Sequence, residues 1–327
     1  MYELFKPALG LANGHLQTLF PALFSKPENP QVEVEILELP DDDFVECIWH
    51  KKPTLGDNPP IMILFHGLAG SFESPYIKRA MRALGEKGFA VVLMHFRGCG
   101  EEMNRLPRSY HSGETGDAKS LIVHLQKQYH DSPLYAIGYS LGGNMLLKLL
   151  GELGEACPLK AAMVVSAPMQ LDSSANYINK GFSKLYQHRL MRLLNQSLEK
   201  KYDYHDMEKL IGLKREDVKK LRSFWEFDDV YTAPIHGFKD AKEYYAKSSS
   251  KQYLKDITTS TLIIHAFDDP FMGDEVIPNE EELSSSIKLE LYPTGGHVGF
   301  VSGSIFKPHY WLESRMLDFF ATIRAIS

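Results

Sequence analysis

Four short apolar runs set the strongest limit on what this chain can fold into. "PIMILFHG" (60–67), "FAVVLMHFRG" (89–98), "PLYAIGYS" (133–140) and "LKAAMVVSAP" (159–168) are continuous rather than alternating. A strand sends successive side chains to opposite faces, so an unbroken apolar run is stable only where both faces are covered. Stretches of helical periodicity separate the runs, at 74–88, 116–129 and 144–154. Strand, helix and strand in succession predict a mostly parallel, doubly wound α/β sheet flanked by helices.

Two earlier segments, "VEVEILELP" and "DFVECIWH", alternate apolar with polar residues around an Asp-rich turn, which predicts an antiparallel hairpin at one edge of the sheet. The strand pattern stops after residue 168. From about 171 to 245 the chain is charged and helically periodic, and strand runs resume in "STLIIHAFDDP" (260–270) and "IKLELYPTGGH" (287–297). "HYWLESRMLDFFATIRA" reads as a closing helix. The expectation is one domain over 1–327, with a helical cap inserted at about 171–245 over the C-terminal edge of the sheet.

Composition narrows the functional classes. The 327 residues are 44% hydrophobic and 24% charged, enough for a large core, and the net charge of −6 offers no basic face to neutralise phosphates, so no nucleic-acid partner is expected. Three cysteines, Cys47, Cys99 and Cys157, have neither disulfide parity nor zinc spacing. The stretch "MYELFKPALGLANGHLQTLF" lacks the basic start and continuous apolar core of a secretory signal, and no window of about 18 apolar residues occurs. A cytoplasmic protein with no stable membrane anchor is expected.

The chemistry centres on "GYSLG". In G-x-S-x-G the serine occupies a sharp strand-to-helix turn, and the glycines on either side let backbone approach where a Cβ would clash. Ser140 has that context: "LYAIG" is a buried strand and "GNMLLKLL" opens a helix. The competing role is a helix N-cap. A hydroxyl becomes a nucleophile when a histidine removes its proton, and that imidazole needs a carboxylate to fix its tautomer.

In sheets of this type the partners follow the serine as acid and then base, in loops after late strands. His297, after a strand and a Gly-Gly pair, is the base; His265 is the lesser candidate because it sits inside "LIIHA". Asp269, next to Pro270, is the preferred acid, with its neighbour Asp268 as the alternative and the other aspartate bonding nearby amides. The oxyanion needs two backbone donors, assigned to Leu141 and to Leu68 in "FHGLAGS"; His66 is read as stabilising that turn. Thirteen histidines include no H-E-x-x-H, and neither a metal nor a cofactor is expected.

These motifs resemble the α/β-hydrolase superfamily, and in detail its YheT-like branch (AB hydrolase 4 family), bacterial relatives of the abhydrolase-domain lipases and medium-chain ethyl ester enzymes. The resemblance runs along "GHLQTLFP", "FHGLAGSFESPY", "MHFRGCGEEMNR", "YHSGETGDA", "GYSLGGNML", "VSAPMQL", "EFDDVYTAPIHGFKDAKEYY", "LIIHAFDDPFM" and "GGHVGF". It implies a charge-relay set on Ser140, the Asp268/Asp269 pair and His297. The loop "FRGCGEEMNRLPRSYHSGETGDA" (96–118) is read as held to carboxylates through Arg97, Arg105 and Arg108, with shaping of the acyl pocket or binding of a polar head group as the alternative.

The expected function is a serine esterase acting on short- to medium-chain acyl esters, a small-molecule substrate. An acyltransferase with an alcohol acceptor and a binding protein without turnover are the alternatives. Phe182, Leu185, Leu190 and Leu194 of the helical block are read as candidates for the acyl-chain pocket.

Overall fold

A computed structural model describes residues 4–54 and 56–326. The first three residues of the N-terminal stretch read for a secretory signal, and both ends of the expected 1–327 domain, lie outside the described residues. An eight-stranded sheet organises the chain, in the spatial order β1-β2-β4-β3-β5-β6-β7-β8. Its strands are β1 (Glu33–Glu38), β2 (Phe44–His50), β3 (Ile61–Phe65), β4 (Ala90–Met94), β5 (Leu134–Tyr139), β6 (Leu159–Val165), β7 (Ser260–Ala266) and β8 (Ile287–Tyr292). β1 and β2 pair antiparallel, β2 runs antiparallel to β4, and every other pairing is parallel.

The apolar runs are continuous because β3, β4 and β5 are buried at every position. Alternate residues of β3 enter different cores. Ile61, Ile63 and Phe65 pack with helices α3 (Gly116–Gln128) and α4 (Leu141–Leu153), reached through Leu121 and Leu146. Met62 and Leu64 pack on the other face with α2 (Pro75–Glu86) and with the C-terminal helix Trp311–Ile326, through Met81 and Phe320.

The edge strands behave differently. β1 is exposed at most positions, its alternating Val34 and Ile36 included, so the apolar face that its pattern suggests stays uncovered, whereas β2 is buried almost throughout. The polar residue in β2 that suggested an open face, Glu46, is itself buried and accepts the amides of Glu101 and Glu102.

Between β6 and β7 lie helices α5 (Leu171–Ile178) and α6 (Lys184–Lys201), shorter helices at Met207–Ile211 and Phe224–Phe227, a π-helical turn at Asp228–Thr232, and a last helix at Ala241–Ser248. Met191, Leu198, Met207 and Phe227 form a small core of their own there. The block is tied down by Lys201, a fully buried lysine that donates to Asn104 and to the Leu106 carbonyl. Two features were not read from the sequence. One is helix α1 (Gly14–Phe24); the other is a small antiparallel pair, β9 (Val301–Gly303) with β10 (Pro308–Tyr310). Among the described residues no helix is long and apolar enough to cross a membrane.

Candidate active site

β5 ends in Ser140, whose backbone is left-handed at φ 51° and ψ −119°. Such a conformation is costly for a residue with a Cβ and persists only where the surroundings impose it. Here the glycines impose it. A Cβ on Gly142 would stand 2.5 Å from the His66 carbonyl oxygen, and one on Gly138 would stand 2.5 Å from that of Gly142. The chain therefore turns sharply enough for α4 to start one residue after the serine. The Ser140 side chain makes no capping bond to that helix, so the N-cap role is not the one it fills.

Its hydroxyl instead lies 2.9 Å from His297 Nε2, and His297 Nδ1 lies 2.8 Å from Asp269 Oδ2. With the proton on Nδ1, the imidazole donates to the buried carboxylate and leaves Nε2 to accept from the serine. The other oxygen of Asp269 accepts the Phe271 amide at 2.8 Å. The adjacent aspartate points elsewhere: Asp268 Oδ1 accepts the Gly296 amide at 2.9 Å, in the turn that carries the histidine. Burial raises the Asp268 carboxyl above its ordinary value, against the pull of that amide.

Leu68 and Leu141 flank the serine as expected. A Cβ on Gly67 would lie 3.2 Å from that of Ser140, so the turn runs directly over the hydroxyl. The amides on either side of Leu68 are already used, Gly67 donating to the Tyr76 hydroxyl and Ala69 to that of Tyr110. The Leu68 amide has no acceptor among the described residues, and Leu141 is the first residue of α4, where an amide has no partner within the helix. Both remain available to a developing oxyanion.

His66 is a turn residue. Its Nδ1 meets the Gly67 carbonyl at 2.7 Å, its Nε2 accepts from the Phe96 amide, and burial depresses its pKa to about 3, so it stays neutral. His265 is buried inside β7, where desolvation also lowers its pKa.

The support under His297 was not anticipated. Thr18 of α1 accepts the His297 amide at 2.8 Å and donates to the Gly14 carbonyl at 2.7 Å. Gln17, wholly buried, donates to the carbonyls of Leu11 and Val301 and accepts the Val301 amide. Gly14 touches the opposite loop, since a Cβ there would stand 1.8 Å from the Asp268 carbonyl oxygen. The Phe271 ring lies parallel to the imidazole at 4.0 Å. The available signal was a Gln-Thr pair inside "GHLQTLFP", polar residues in an otherwise apolar segment.

Ser140, Leu141, Leu68 and His297 open into a cavity of about 640 Å³. Residues 171–198 of the helical block form much of its wall. Asp228 of the π-helical turn also faces it; burial raises its pKa to about 6, despite bonds from the Thr232 and Tyr245 hydroxyls.

The arginine loop is held to carboxylates, and part of it also borders the cavity. Arg97 bonds Asp41, Asp43 and Asp117, Arg105 bonds Glu38, and Arg108 bonds Asp41 and Glu114, while Cys99, Met103 and Tyr110 line the cavity. Burial alone would raise the Asp41 carboxyl, but the Arg97 and Arg108 guanidinium groups outweigh it and hold it at about 2.

The family described as alpha/beta hydrolase fold matches residues 60–304. YheT of Escherichia coli (strain K12), an esterase by name, is 43% identical over 97% of this chain and 93% of its own length. This chain is a YheT-like α/β-hydrolase.

A more distant relative of this α/β-hydrolase, the monoacylglycerol lipase of Saccharomyces cerevisiae, is 31% identical over 75% of this chain and 55% of its own length. Among solved structures, the Pyrococcus furiosus esterase Pf2001 overlays with a TM-score of 0.56 at 16% identity, covering 91% of this chain and 98% of that one; the likeness is one of fold. One expectation for this α/β-hydrolase needs correction. Leu190 and Leu194 line the cavity, but Phe182 and Leu185 do not and are exposed. Phe182 lies in a 3-10 turn ahead of α6, and Leu185 is turned about 140° round the helix from Leu190, away from the cavity.

Proposed function

We propose that the protein is a serine hydrolase that cleaves carboxylic esters through an acyl-enzyme. The observation that carries this reading is the hydrogen-bonded series Ser140–His297–Asp269, at 2.9 and 2.8 Å, opening into a cavity. Ser140 Oγ attacks the ester carbonyl as His297 Nε2 takes its proton, and the carbonyl oxygen becomes an oxyanion held by the Leu68 and Leu141 amides. The tetrahedral species expels the alcohol, which leaves with the proton from His297. Water then attacks the acyl carbon, losing its proton to His297, and collapse frees the acid and returns the proton to Ser140. Asp269 holds the imidazole in the tautomer with its proton on Nδ1 and stabilises the imidazolium in both halves.

The names of the relatives, esterase and monoacylglycerol lipase, support an acyl-ester substrate. The apolar wall formed by Ile178, Leu190 and Leu194 supports short- to medium-chain acyl groups, with residues 171–245 acting as the cap. A fluorophosphonate probe read by intact-protein mass tests the nucleophile. One adduct is expected on the wild type and none on Ser140→Ala; equal labelling of the two would overturn the assignment. A series of p-nitrophenyl esters should show an optimum at short to medium chain length, and a flat profile would sink the pocket assignment. Running the series with added ethanol separates water from alcohol as the acyl acceptor.

A further inference from the structure

The two side chains that the cavity left out, Phe182 and Leu185, belong to a surface with a consistent chemistry. The cavity-lining residues that are themselves exposed are Ala22 of α1 and Arg189, Gln196 and Lys200 of α6, so the mouth opens between those two helices. The helices meet at one end, where the His15 ring packs against Phe182 at 4.7 Å and bonds the Tyr186 hydroxyl at 3.1 Å.

Around this mouth large apolar side chains face water. Phe182 is 53% exposed and Leu185 60% on one side; on the other, Leu16 is 46% and Leu23 58% exposed, seven residues apart and hence on one face of α1. Large apolar side chains exposed on both sides of one cavity mouth mark a surface that is covered in use. The charge pattern says by what. Residues 180–200 carry five lysines and arginines against one acid, Glu199, in a chain whose net charge is −6. Among the described residues Lys180, Lys184, Arg189 and Arg192 form no ion pair, although carboxylates are in excess elsewhere. Exposed Leu and Phe side chains set among unpaired cations match an anionic lipid interface, where the apolar groups enter the acyl boundary and the cations meet headgroup charge.

We propose that the rim formed by α1 and the start of α6 docks the protein on an anionic bilayer surface, with the mouth of the cavity facing the lipid. This goes beyond the esterase reading, because binding is scored without turnover. Ser140→Ala protein is mixed with vesicles of equimolar phosphatidylglycerol and phosphatidylcholine, or of phosphatidylcholine alone, and sedimented. The expected result is binding to the anionic vesicles only, weakened at about 0.5 M NaCl by screening.

Each basic residue near an anionic surface is worth about five-fold in partitioning, so Lys184→Glu with Arg192→Glu should lower binding on the order of 100-fold. Leu23→Ser with Leu185→Ser should lower it by about 10-fold or more. None of these four side chains lines the cavity, so in the Ser140 background both pairs should keep wild-type turnover of p-nitrophenyl butyrate. That assay also shows that the variants fold, and its failure in the wild type would sink the esterase reading while leaving the sedimentation result standing. Absence of sedimentation would overturn the docking proposal. So would salt-insensitive binding to both vesicle types, or a wild-type dimer in sedimentation velocity that Leu185→Ser dissociates.

Discussion

The serine side and the histidine side of this site are held by different means. Ser140 is placed by its immediate neighbours, through glycines whose missing Cβ atoms let β5, α4 and the His66 turn close on one another. His297 is placed from far away, through Thr18 and Gln17 of α1, which lie about 280 positions earlier in the chain. The first arrangement works by steric exclusion and is local. The second works by buried polar bonds between the two ends of the chain, and such bonds are costly to leave half made.

The largest test of this contrast sets the two adjacent aspartates against each other. Asp269→Asn should lower kcat on the order of 10⁴-fold by presenting the wrong imidazole tautomer, whereas Asp268→Asn, which only loosens the Gly296 turn, should cost about 10- to 100-fold. Equal losses in steady-state kinetics would erase the distinction drawn between them.

Next come the close approaches that fix each side. Gly142→Ala and Gly14→Ala each force a Cβ into a carbonyl oxygen, and each should destabilise the fold by about 3 kcal/mol in urea unfolding. If Gly14→Ala unfolds like the wild type, α1 is not seated on the Asp268 loop as described.

A smaller effect is expected at Thr18. Thr18→Val removes the acceptor for the His297 amide and should lower kcat by about 10-fold with KM little changed, and Thr18→Ser should restore it. A loss confined to KM would place Thr18 in substrate binding instead.

The mildest test concerns neither side but the helical block. The Asp228 carboxyl, raised to about 6, holds a proton in the folded state that the unfolded chain has released between pH 4 and 6. Its contribution therefore favours folding as pH falls through that window and is lost as pH rises through about 6. Relative to Asp228→Asn, the wild type should gain on the order of 1 kcal/mol between pH 7 and 4, read from urea midpoints.

The same contrast explains what could be read from the sequence. The sheet was legible because β3, β4 and β5 are buried on both faces and so carry unbroken apolar runs. The serine turn was legible because the glycines that let it close lie within "GYSLG" and "HGL", although the Ser140 amide is held by Val165 of β6. Asp268 and Asp269 could only be ranked, since neighbouring residues in one loop direct their carboxylates to different partners, and composition carries no sign of which. The brace from α1 was missed because its meaning is non-local: Gln17 and Thr18 look like ordinary polar residues until Val301 and His297 are beside them. Phe182 and Leu185 were assigned to the cavity on periodicity, which does not distinguish a buried face from one turned outward.

The bonds from Gln17 to Val301 and from Thr18 to His297 also order events in time. A chain emerging from the ribosome presents Ser140 well before His297, which lies 157 positions later. Domains generally fold as units, so a product cut short of His297 holds Ser140 without its hydrogen-bond partner. The contact between Ser140 and His297 then forms only when the segment carrying His297 closes on α1.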